Sequence, residues 1–493
     1  MKTSPRAVII GAGLGGLATA LRLAVRGWQV DIVERGGQPG GKMNRWQSEG
    51  FTFDTGPSLI TMPEVFGELF QLAGTDITDH VELRRLDPVA RYVYPSGLDF
   101  EYGGPLPALQ REFDRCFPGE WSGFLDMMAL GGRLFELSRQ TFFAQAPGEP
   151  PSPRMLGALR SVPVKYGWGG YHATVRRFLR HPALIQFFDR FPTYVGSSPY
   201  LVPATLLAIP YLEYGHGAWH VSGGLYNLVA ALAALLKARG ARLHLFAEAQ
   251  QIHISSRKVT AVELTDGRRL DADVAVFNGD ASHLPLLAKD AGLPAPTGQR
   301  SLSGFVLLLG LRRKLAEQHH HTVYFSSNYR REFDELFGAN GCQPQFPTDP
   351  TVYVNAPSRS DHALAPSAGE TLFVMANAPS LGVRWDDEMT DVARRRVLAR
   401  LATGGLELAP EDIVVERAWT PAEFEKAYSM PGGAIYGQAS HGWRGAFLRP
   451  ANRERRVGGL YRVGGSSHPG GGTPTVLLSA RIVDRLISRY ERP

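Results

Sequence analysis

Residues 5–34 form a strand, a glycine-rich turn, a helix and a second strand, and this unit constrains the fold more than any other stretch. Residues 6–10 are a short apolar run that predicts a buried strand, and residues 29–33 predict another. Between them, apolar residues recur at helical spacing up to Gly27, which can cap the helix C-terminus. Glu34 lies 18 residues after Gly16, near the place where a ribose-binding acid is expected. The pattern predicts a dinucleotide-binding unit, with a ligand-free glycine turn as the alternative.

The three glycines of this turn have separate tasks in such a unit. Gly11 makes the tight turn, Gly13 lets the backbone approach a pyrophosphate, and Gly16 lets the helix and strand pack closely. Free N–H groups at the helix N-terminus would bind the phosphates. The carboxylate of Glu34 would accept hydrogen bonds from a ribose diol and would repel a 2′-phosphate.

The charge pattern argues against a nucleic-acid partner. The net charge is +6 and the isoelectric point is near 9.2, but the basic residues are scattered among acidic ones. The densest basic patches are residues 394–396 and 453–456. We interpret them as solvated faces, with an anionic membrane surface as the alternative partner.

Cysteine and hydropathy patterns indicate a cytoplasmic protein that no helix anchors across a membrane. Cys116 and Cys342 are too few for a disulfide scaffold, which favours a reducing compartment. The first six residues are polar and the first apolar run is a strand, so no signal peptide is predicted. No run reaches about 18 uninterrupted apolar residues, so no membrane-spanning helix is predicted.

The histidine run His319–His321 does not indicate a metal site. Adjacent histidines on a strand or turn point in different directions, and no cysteine or acid is spaced to complete a ligand set. We expect a surface run and no metal.

Two later stretches continue the pattern of the first unit. Residues 219–226 are expected to open an apolar helix that ends near Arg239, and residues 242–246, 259–270 and 273–277 predict a strand, a hairpin around Asp266-Gly267 and a buried strand. Residues 458–486 then repeat the order strand, glycine-rich loop, helix. The N-terminus of that last helix would stabilise negative charge on a second electron-rich group.

Together these motifs resemble the carotenoid desaturase family, the bacterial and fungal phytoene-desaturase-like flavoproteins of the amine-oxidase type. The resemblance rests on Gly40-Gly41-Lys42, on residues 51–58 and 219–226, and on Gly464-Gly465-x-x-His468-Pro469-Gly470-x-Gly472-x-Pro474. The C-terminal segment is similar to late-acting members, which desaturate hydroxylated or methoxylated carotenoid ends or oxidise a terminal methyl group.

The resemblance implies FAD as cofactor and an α/β fold. It implies a Rossmann-like FAD-binding domain of the amine-oxidase and desaturase type, an inserted α+β substrate domain and a helical membrane-facing region. The FAD-binding domain is expected in residues 1–110, 220–300 and 440–493, and the substrate and membrane-associating region in residues 111–219 and 301–439. The residues expected to bind FAD are Gly11, Ala12, Gly13, Gly15, Gly16, Glu34, Arg35, Gly41, Lys42, Gly56, Pro57, Ser58, Ala249, Gly465, Pro474 and Thr475.

The implied reaction introduces double bonds into an acyclic carotenoid by hydride transfer to the flavin and loss of a proton. Because the polyene delocalises the charge, the protein mainly positions the substrate in a dry channel, and no strong base is required. His468 is the candidate catalytic group closest to the flavin, although a structural role in fixing the glycine loop is favoured. The alternatives are a flavin-dependent terminal-methyl oxidase and a non-catalytic lipid escort of the same fold.

A carotenoid is confined to lipid, so the resemblance also implies a membrane partner. We expect peripheral attachment to the inner face of the cell membrane, with oxygen or a quinone as electron acceptor. Residues 167–212 carry many aromatic and aliphatic side chains with interspersed arginines, which suits a membrane-dipping helical region. The alternative for this segment is a buried helical core.

Overall fold

The computed structural model describes residues 4–150, 152–159, 169–380 and 382–491. The strands are β1 (Arg6–Ile10), β2 (Gln29–Val33), β3 (Arg45–Ser48), β4 (Phe51–Asp54), β5 (Leu83–Arg85), β6 (Ala90–Val93), β7 (Asp99–Tyr102), β8 (Trp219–Val221), β9 (Arg242–His244), β10 (Ala249–Ser255), β11 (Lys258–Leu264), β12 (Arg269–Asp271), β13 (Val274–Phe277), β14 (Ser303–Leu311), β15 (His321–Tyr324), β16 (Val352–Asn355), β17 (Glu370–Ala378), β18 (Ile413–Trp419) and β19 (Leu460–Arg462). The α-helices are α1 (Leu14–Val25), α2 (Pro63–Leu72), α3 (Leu106–Cys116), α4 (Trp121–Gln140), α5 (Pro153–Leu159), α6 (Tyr171–Phe178), α7 (Pro182–Asp189), α8 (Ala208–His216), α9 (Tyr226–Ala238), α10 (Leu284–Leu287), α11 (Tyr329–Phe337), α12 (Asp387–Thr403), α13 (Pro421–Tyr428), α14 (Gly442–Phe447) and α15 (Thr473–Tyr490).

One of the two main sheets is parallel and has the strand order β19-β13-β1-β2-β9. Its central strand β1 is buried beyond its first residue, as a strand covered on both faces must be. Helices α1, α9 and α15 share one apolar core with β1, β2 and β13, and the antiparallel meander β10–β12 shares a second core with the parallel sheet. The carboxyl ends of β1, β13 and β19 therefore meet at one edge, where parallel sheets of this kind bind ligands.

A seven-stranded mixed sheet, of order β18-β14-β17-β16-β15-β6-β7, organises the second half. The nine-residue strands β14 and β17 pair along their whole length, from Ser303 with Ala378 to Leu311 with Glu370. The buried residues of α12 join the apolar core on one face of this sheet. Strands β6 and β7 both precede residue 110. The segment 1–110, which was expected to belong to the FAD-binding domain, therefore also contributes two strands to the second sheet.

Helices α3, α4 and α6–α8 surround an aromatic core beside β6 and β7. The ring of Phe187 packs edge-on against Tyr92 and Phe100, with centroids 4.7 and 5.4 Å away. Phe187, Phe188 and Phe191 are fully buried, which matches the buried-core alternative for these side chains of the 167–212 segment. Residues 167 and 168 of that segment lie outside the described residues. Within the described ranges, no helix is long and apolar enough to cross a membrane.

Two sequence expectations about local structure are wrong. Residues 219–221 form the strand β8, which pairs with β5, and the helix begins only at Tyr226. The start is delayed because Gly223 and Gly224 adopt φ values of +78° and +95°, outside the helical region.

The histidine run is not the surface feature that was expected. His320 and His321 are 8 % and 1 % exposed, and only His319 is partly open to solvent. The run leads into β15, which lies inside the seven-stranded sheet between β16 and β6. All four residues of β15 are buried, and the rings of His320 and His321 pack against each other with centroids 4.5 Å apart. The local sequence pattern does not show which neighbouring elements cover this strand.

Candidate cofactor site and adjoining cavity

The first glycine turn is closely packed against the end of β13. Gly11 has φ +96°, and a Cβ atom there would lie 2.8 Å from the carbonyl oxygen of Asn278. A Cβ at Gly16 would lie 2.2 Å from the carbonyl oxygen of Gly11, which only glycine permits. At Gly13 the nearest neighbour is the Asn278 Nδ2 atom at 3.0 Å, and the next is 3.9 Å away. Gly11 and Gly16 therefore maintain the turn itself, and Gly13 leaves room beside it for a ligand.

Asn278 joins the two glycine-rich loops, and the sequence analysis did not single it out. Its Nδ2 donates a 3.0 Å hydrogen bond to the carbonyl of Gly11. Its Oδ1 lies 2.8 Å from a Cβ built at Gly15 and 2.9 Å from one built at Gly464. Its position in the sequence could have identified it, because Asn278 directly follows the strand predicted for residues 273–277. The end of that strand lies at the ligand-binding edge of the sheet.

Glu34 faces the glycine turn from the end of β2. Its Oε2 accepts a hydrogen bond from the Ala12 N–H at 2.9 Å, and its Oε1 accepts one from the Gly36 N–H at 2.8 Å. Arg35 turns away, and its guanidinium donates to Ser429 Oγ at 2.7 Å. The carboxylate thus lies where a ribose is expected, whereas the Arg35 side chain holds the segment that follows α13.

Residues 40–42 pack on the first turn and residue 56 packs on them. The Gly40 N–H donates to the Ala12 carbonyl at 2.8 Å, and a Cβ at Gly41, where φ is +57°, would lie 3.2 Å from Gly13 Cα. A Cβ at Gly56 would overlap the Lys42 carbonyl oxygen at 1.8 Å. Burial lowers the pKa of Lys42 to about 8, against the opposing effect of Asp280, and its Nζ donates to the Ile435 carbonyl at 2.5 Å.

Ala249, the residue expected to contact the adenine, is the first residue of β10. Two residues earlier, the Ala247 N–H donates to the Glu34 carbonyl at 2.8 Å. The backbone before Ala249 therefore runs beside the predicted ribose site.

The C-terminal loop supplies the second half of the site. Gly464, Gly470 and Gly472 have φ values of +110°, +126° and +117°, which L side chains rarely adopt. Helix α15 begins at Thr473, with Pro474 in its first turn and no side-chain cap. Pro474 has no N–H, and among the described residues the N–H groups of Thr473 and Thr475 have no partner, so these two could bind an electron-rich group. Thr475 Oγ1 donates to the Gly471 carbonyl at 2.8 Å, and a Cβ at Gly465 would lie 3.4 Å from Gly471 Cα.

His468 connects this loop to the segment that follows α4. Its side chain is buried, and Nε2 donates to the carbonyl of Phe142 at 2.7 Å. Burial lowers the pKa of His468 to about 4, so the ring is neutral at pH 7. The His468 carbonyl accepts from Asn452 Nδ2 and Ser479 Oγ, both at 2.8 Å. These contacts match the structural role that was favoured for it.

A cavity of about 400 Å³ adjoins both halves of the site. It is lined by Gly56, Pro57 and Ser58 on one side and by Pro469–Thr475 on another. Most of the remaining lining is apolar and includes Leu59, Phe135, Phe142, Leu206, Ile209, Leu212 and Phe447. An apolar ligand bound in this cavity would contact the C-terminal glycine loop.

The glycine turns fit a bound dinucleotide, because space that a Cβ would fill is kept free at the end of a parallel sheet and beside an uncapped helix start. In the described part of the chain, no three or more His, Cys, Asp or Glu side chains form a group that could hold a metal ion.

The sequence profile described as flavin containing amine oxidoreductase matches residues 14–485. The chain belongs to this family. The predicted FAD cofactor and the amine-oxidase type of FAD-binding fold are confirmed, and the protein is an FAD-dependent oxidoreductase.

Curated relatives match the chain from end to end. A 4,4′-diapolycopene oxygenase from Methylomonas sp. is 33 % identical over 98 % of this chain and 98 % of its own length. A 1-hydroxycarotenoid 3,4-desaturase from Flavobacterium sp. is 32 % identical over 98 % of this chain and 99 % of its own. These relatives confirm the resemblance to the carotenoid desaturases.

Solved structures share the fold. An oxidoreductase from Methanosarcina mazei has a TM-score of 0.63 at 19 % identity, covering 97 % of this chain and 100 % of its own. Cyclohexylamine oxidase from Brevibacterium oxydans has a TM-score of 0.60 at 16 % identity, covering 99 % and 100 %. At such low identity, the likeness concerns the fold alone.

Replacing Gly13 should remove FAD without unfolding the chain. A valine at this position would fill the space kept for the pyrophosphate, and the nearest protein atom is the end of a side chain. We expect Gly13→Val to purify with little or no flavin absorbance relative to protein absorbance. Gly157→Ala is the control, because no atom of the described residues lies within 4 Å of a Cβ there. Normal flavin content in Gly13→Val would contradict the site assignment.

Proposed function

We propose that the protein is an FAD-dependent desaturase that introduces double bonds into an acyclic carotenoid. The observation that carries the proposal is the largely apolar cavity that touches both predicted FAD-contacting segments, Gly56–Ser58 and Gly470–Thr475. The names of the relatives support it, since they include carotenoid desaturases along with a carotenoid oxygenase. Bound FAD would supply the hydride acceptor for this reaction.

The residues of this chain position the polyene and keep water away from it. Aromatic and aliphatic side chains line the cavity, so a bound polyene exchanges water for apolar contacts along its length. A polyene delocalises the charge that hydride loss leaves behind. The neutral ring of His468, whose Nε2 donates to the Phe142 carbonyl, is therefore sufficient as a positioning group, and no strong base is required in the cavity wall.

Terminal-methyl oxidation is the second candidate function. The curated relative named 4,4′-diapolycopene oxygenase favours it, because its match to this chain is as extensive as that of the named desaturases. The two reactions differ in the mass of the product. Desaturation removes two hydrogens, whereas oxidation adds oxygen.

A short apolar patch on the surface lies beside the cavity, and we propose that it contacts the membrane. The patch consists of Leu201, Trp443 and Leu448, which are 47 %, 50 % and 56 % exposed. The Gly442 N–H donates to the Leu201 carbonyl at 2.8 Å, so the two segments are adjacent. Behind the surface, the ring of Phe447 lies 5.7 Å from Trp443 and 5.7 Å from Phe142.

This aromatic series leads from the surface into the cavity, because Phe142 and Phe447 both line it. Aromatic side chains with apolar neighbours are typical of the membrane interface, and the exposed Arg444 beside Trp443 would attract anionic lipid. The proposal includes peripheral attachment to the inner face of the cell membrane, with oxygen or a membrane quinone as electron acceptor.

Expression in a host that makes acyclic carotenoids tests the function. We expect new pigments with absorption shifted to longer wavelength and with masses lower by two hydrogens for each step. Gly13→Val, which should lack FAD, is the control in the same host. Pigments that gain oxygen instead would identify the methyl oxidase, and unchanged pigments in the presence of FAD-loaded protein would contradict both candidates.

The membrane patch is tested by a matched pair of variants. Leu448 and Leu286 are equally exposed at 56 %, but only Leu448 belongs to the patch. We expect Leu448→Asp to lower cosedimentation with anionic liposomes several-fold, because a carboxylate is expelled from the lipid interface. Leu286→Asp should bind like the unmodified protein. Equal binding by both variants would contradict the proposed patch.

A further inference from the structure

Several polar and charged side chains line the cavity, although most of its lining is apolar. Arg190 ends helix α7, Tyr194 follows it, and Glu213 lies on α8. His321 and Tyr353 lie on the neighbouring strands β15 and β16. All five line the cavity, and we refer to them as the polar wall.

Arg190 is a buried cation that contacts a hydroxyl group and aromatic rings. Its Nη1 donates to Tyr194 OH at 2.9 Å, and the guanidinium carbon lies 5.1 Å from the Tyr194 ring centroid and 5.6 Å from that of Tyr353. Within the described part of the chain, it forms no ion pair within 4.0 Å. The aromatic rings stabilise the charge, and the guanidinium retains donors that these contacts do not use.

Glu213 contributes an acceptor beside this cation. It is 1 % exposed, and its Oε2 accepts from Tyr194 OH at 2.7 Å. Its Oε1 has no hydrogen-bond partner among the described residues, nor do Thr205 Oγ1, Tyr329 OH and His321 Nε2, which belong to other cavity-lining residues. Buried polar atoms are nearly always paired, and leaving them unpaired is unfavourable. A pure hydrocarbon in the cavity would leave these atoms unsatisfied.

The polar wall extends to the cofactor site. Tyr353 OH shares a hydrogen bond of 2.6 Å with Ser58 Oγ and one of 2.7 Å with His321 Nδ1. Ser58 belongs to the segment 56–58, which is predicted to contact FAD and lines the same cavity. An oxygen atom bound at the polar wall would therefore lie near the flavin.

We propose that the polar wall binds a hydroxyl group at the end of the carotenoid substrate. The hydroxyl oxygen accepts from the guanidinium of Arg190, and its hydrogen is donated to the free Oε1 of Glu213. A hydroxyl both accepts and donates, whereas an aldehyde only accepts and a hydrocarbon does neither. This inference rests on the proposed function and makes it more specific: the bond that reacts lies close to the oxygenated end, because that end is held beside the Ser58 segment.

Binding measurements with a matched pair of carotenoids test the proposal. The probes are an acyclic 1-hydroxycarotenoid and the hydrocarbon with the same carbon skeleton and the same conjugated length, both in detergent micelles. Quenching of the flavin fluorescence of the FAD-loaded protein reports affinity independently of turnover. We expect the hydroxylated compound to bind about ten- to a hundredfold more tightly, which corresponds to hydrogen bonds that involve charged groups.

Two variants locate the preference in the polar wall. Tyr194→Phe removes the hydroxyl that links Arg190 to Glu213, and Glu213→Gln removes the carboxylate charge. In both variants we expect the affinities for the hydroxylated carotenoid and for the hydrocarbon to differ by no more than about threefold. Tyr102→Phe is the control, because the Tyr102 hydroxyl is also buried and has no hydrogen-bond partner among the described residues, but lies outside the cavity lining. Flavin content and the melting temperature show whether each variant is folded.

The outcomes separate this inference from the proposed function. If both carotenoids bind equally well to the unmodified protein, the polar wall holds only water, and the inference is wrong while the desaturase proposal stands. The inference is also wrong if the preference survives in both folded variants, or if a terminal aldehyde of the same skeleton binds more tightly than the hydroxyl. If no carotenoid binds, the proposed function fails as well.

Discussion

The side-chain amide of Asn278 is the contact on which the site depends. It donates to the carbonyl of Gly11 and lies against the positions where Gly15 and Gly464 lack a side chain. The first and last segments of the chain therefore meet at the end of β13. A larger residue at any of these glycines would separate the two loops. The closeness of the two loops explains why a cofactor site can be assembled from segments more than 400 residues apart in sequence.

The cavity follows from the way in which the two sheets are joined. The parallel sheet presents its glycine loops at one edge, and the seven-stranded sheet with its helical cover supplies the apolar walls. Because most of the lining is apolar, an unpaired polar atom in it is more costly than a polar atom at the surface would be. The aromatic series from Trp443 to Phe142 and the polar wall around Arg190 are different features of the same enclosure. The aromatic series suits entry of a substrate from lipid, and the polar wall suits recognition of an oxygen atom on that substrate.

Local patterns were read well from the sequence where the chain itself determines the structure. The strands 6–10 and 29–33 are confirmed with the same bounds, and the hairpin around Asp266-Gly267 is present as β11 and β12. Features that depend on tertiary neighbours were not predicted from the sequence. The burial of His320 and His321 depends on which strands flank β15. The role of Asn278 depends on a loop that is distant in sequence, and the strand β8 depends on pairing with β5. Neither periodicity nor spacing within one segment contains this information.

A crystal structure of the protein with FAD bound is the most direct test of the central claim, that the two glycine loops joined by Asn278 form one cofactor site facing the apolar cavity. The account predicts the pyrophosphate at Gly11–Gly16 and the isoalloxazine ring between the Gly56–Ser58 segment and the Gly470–Thr475 loop, with one edge open to the cavity. An isoalloxazine ring lying outside this cavity, or a pyrophosphate away from the N-terminus of α1, would contradict it.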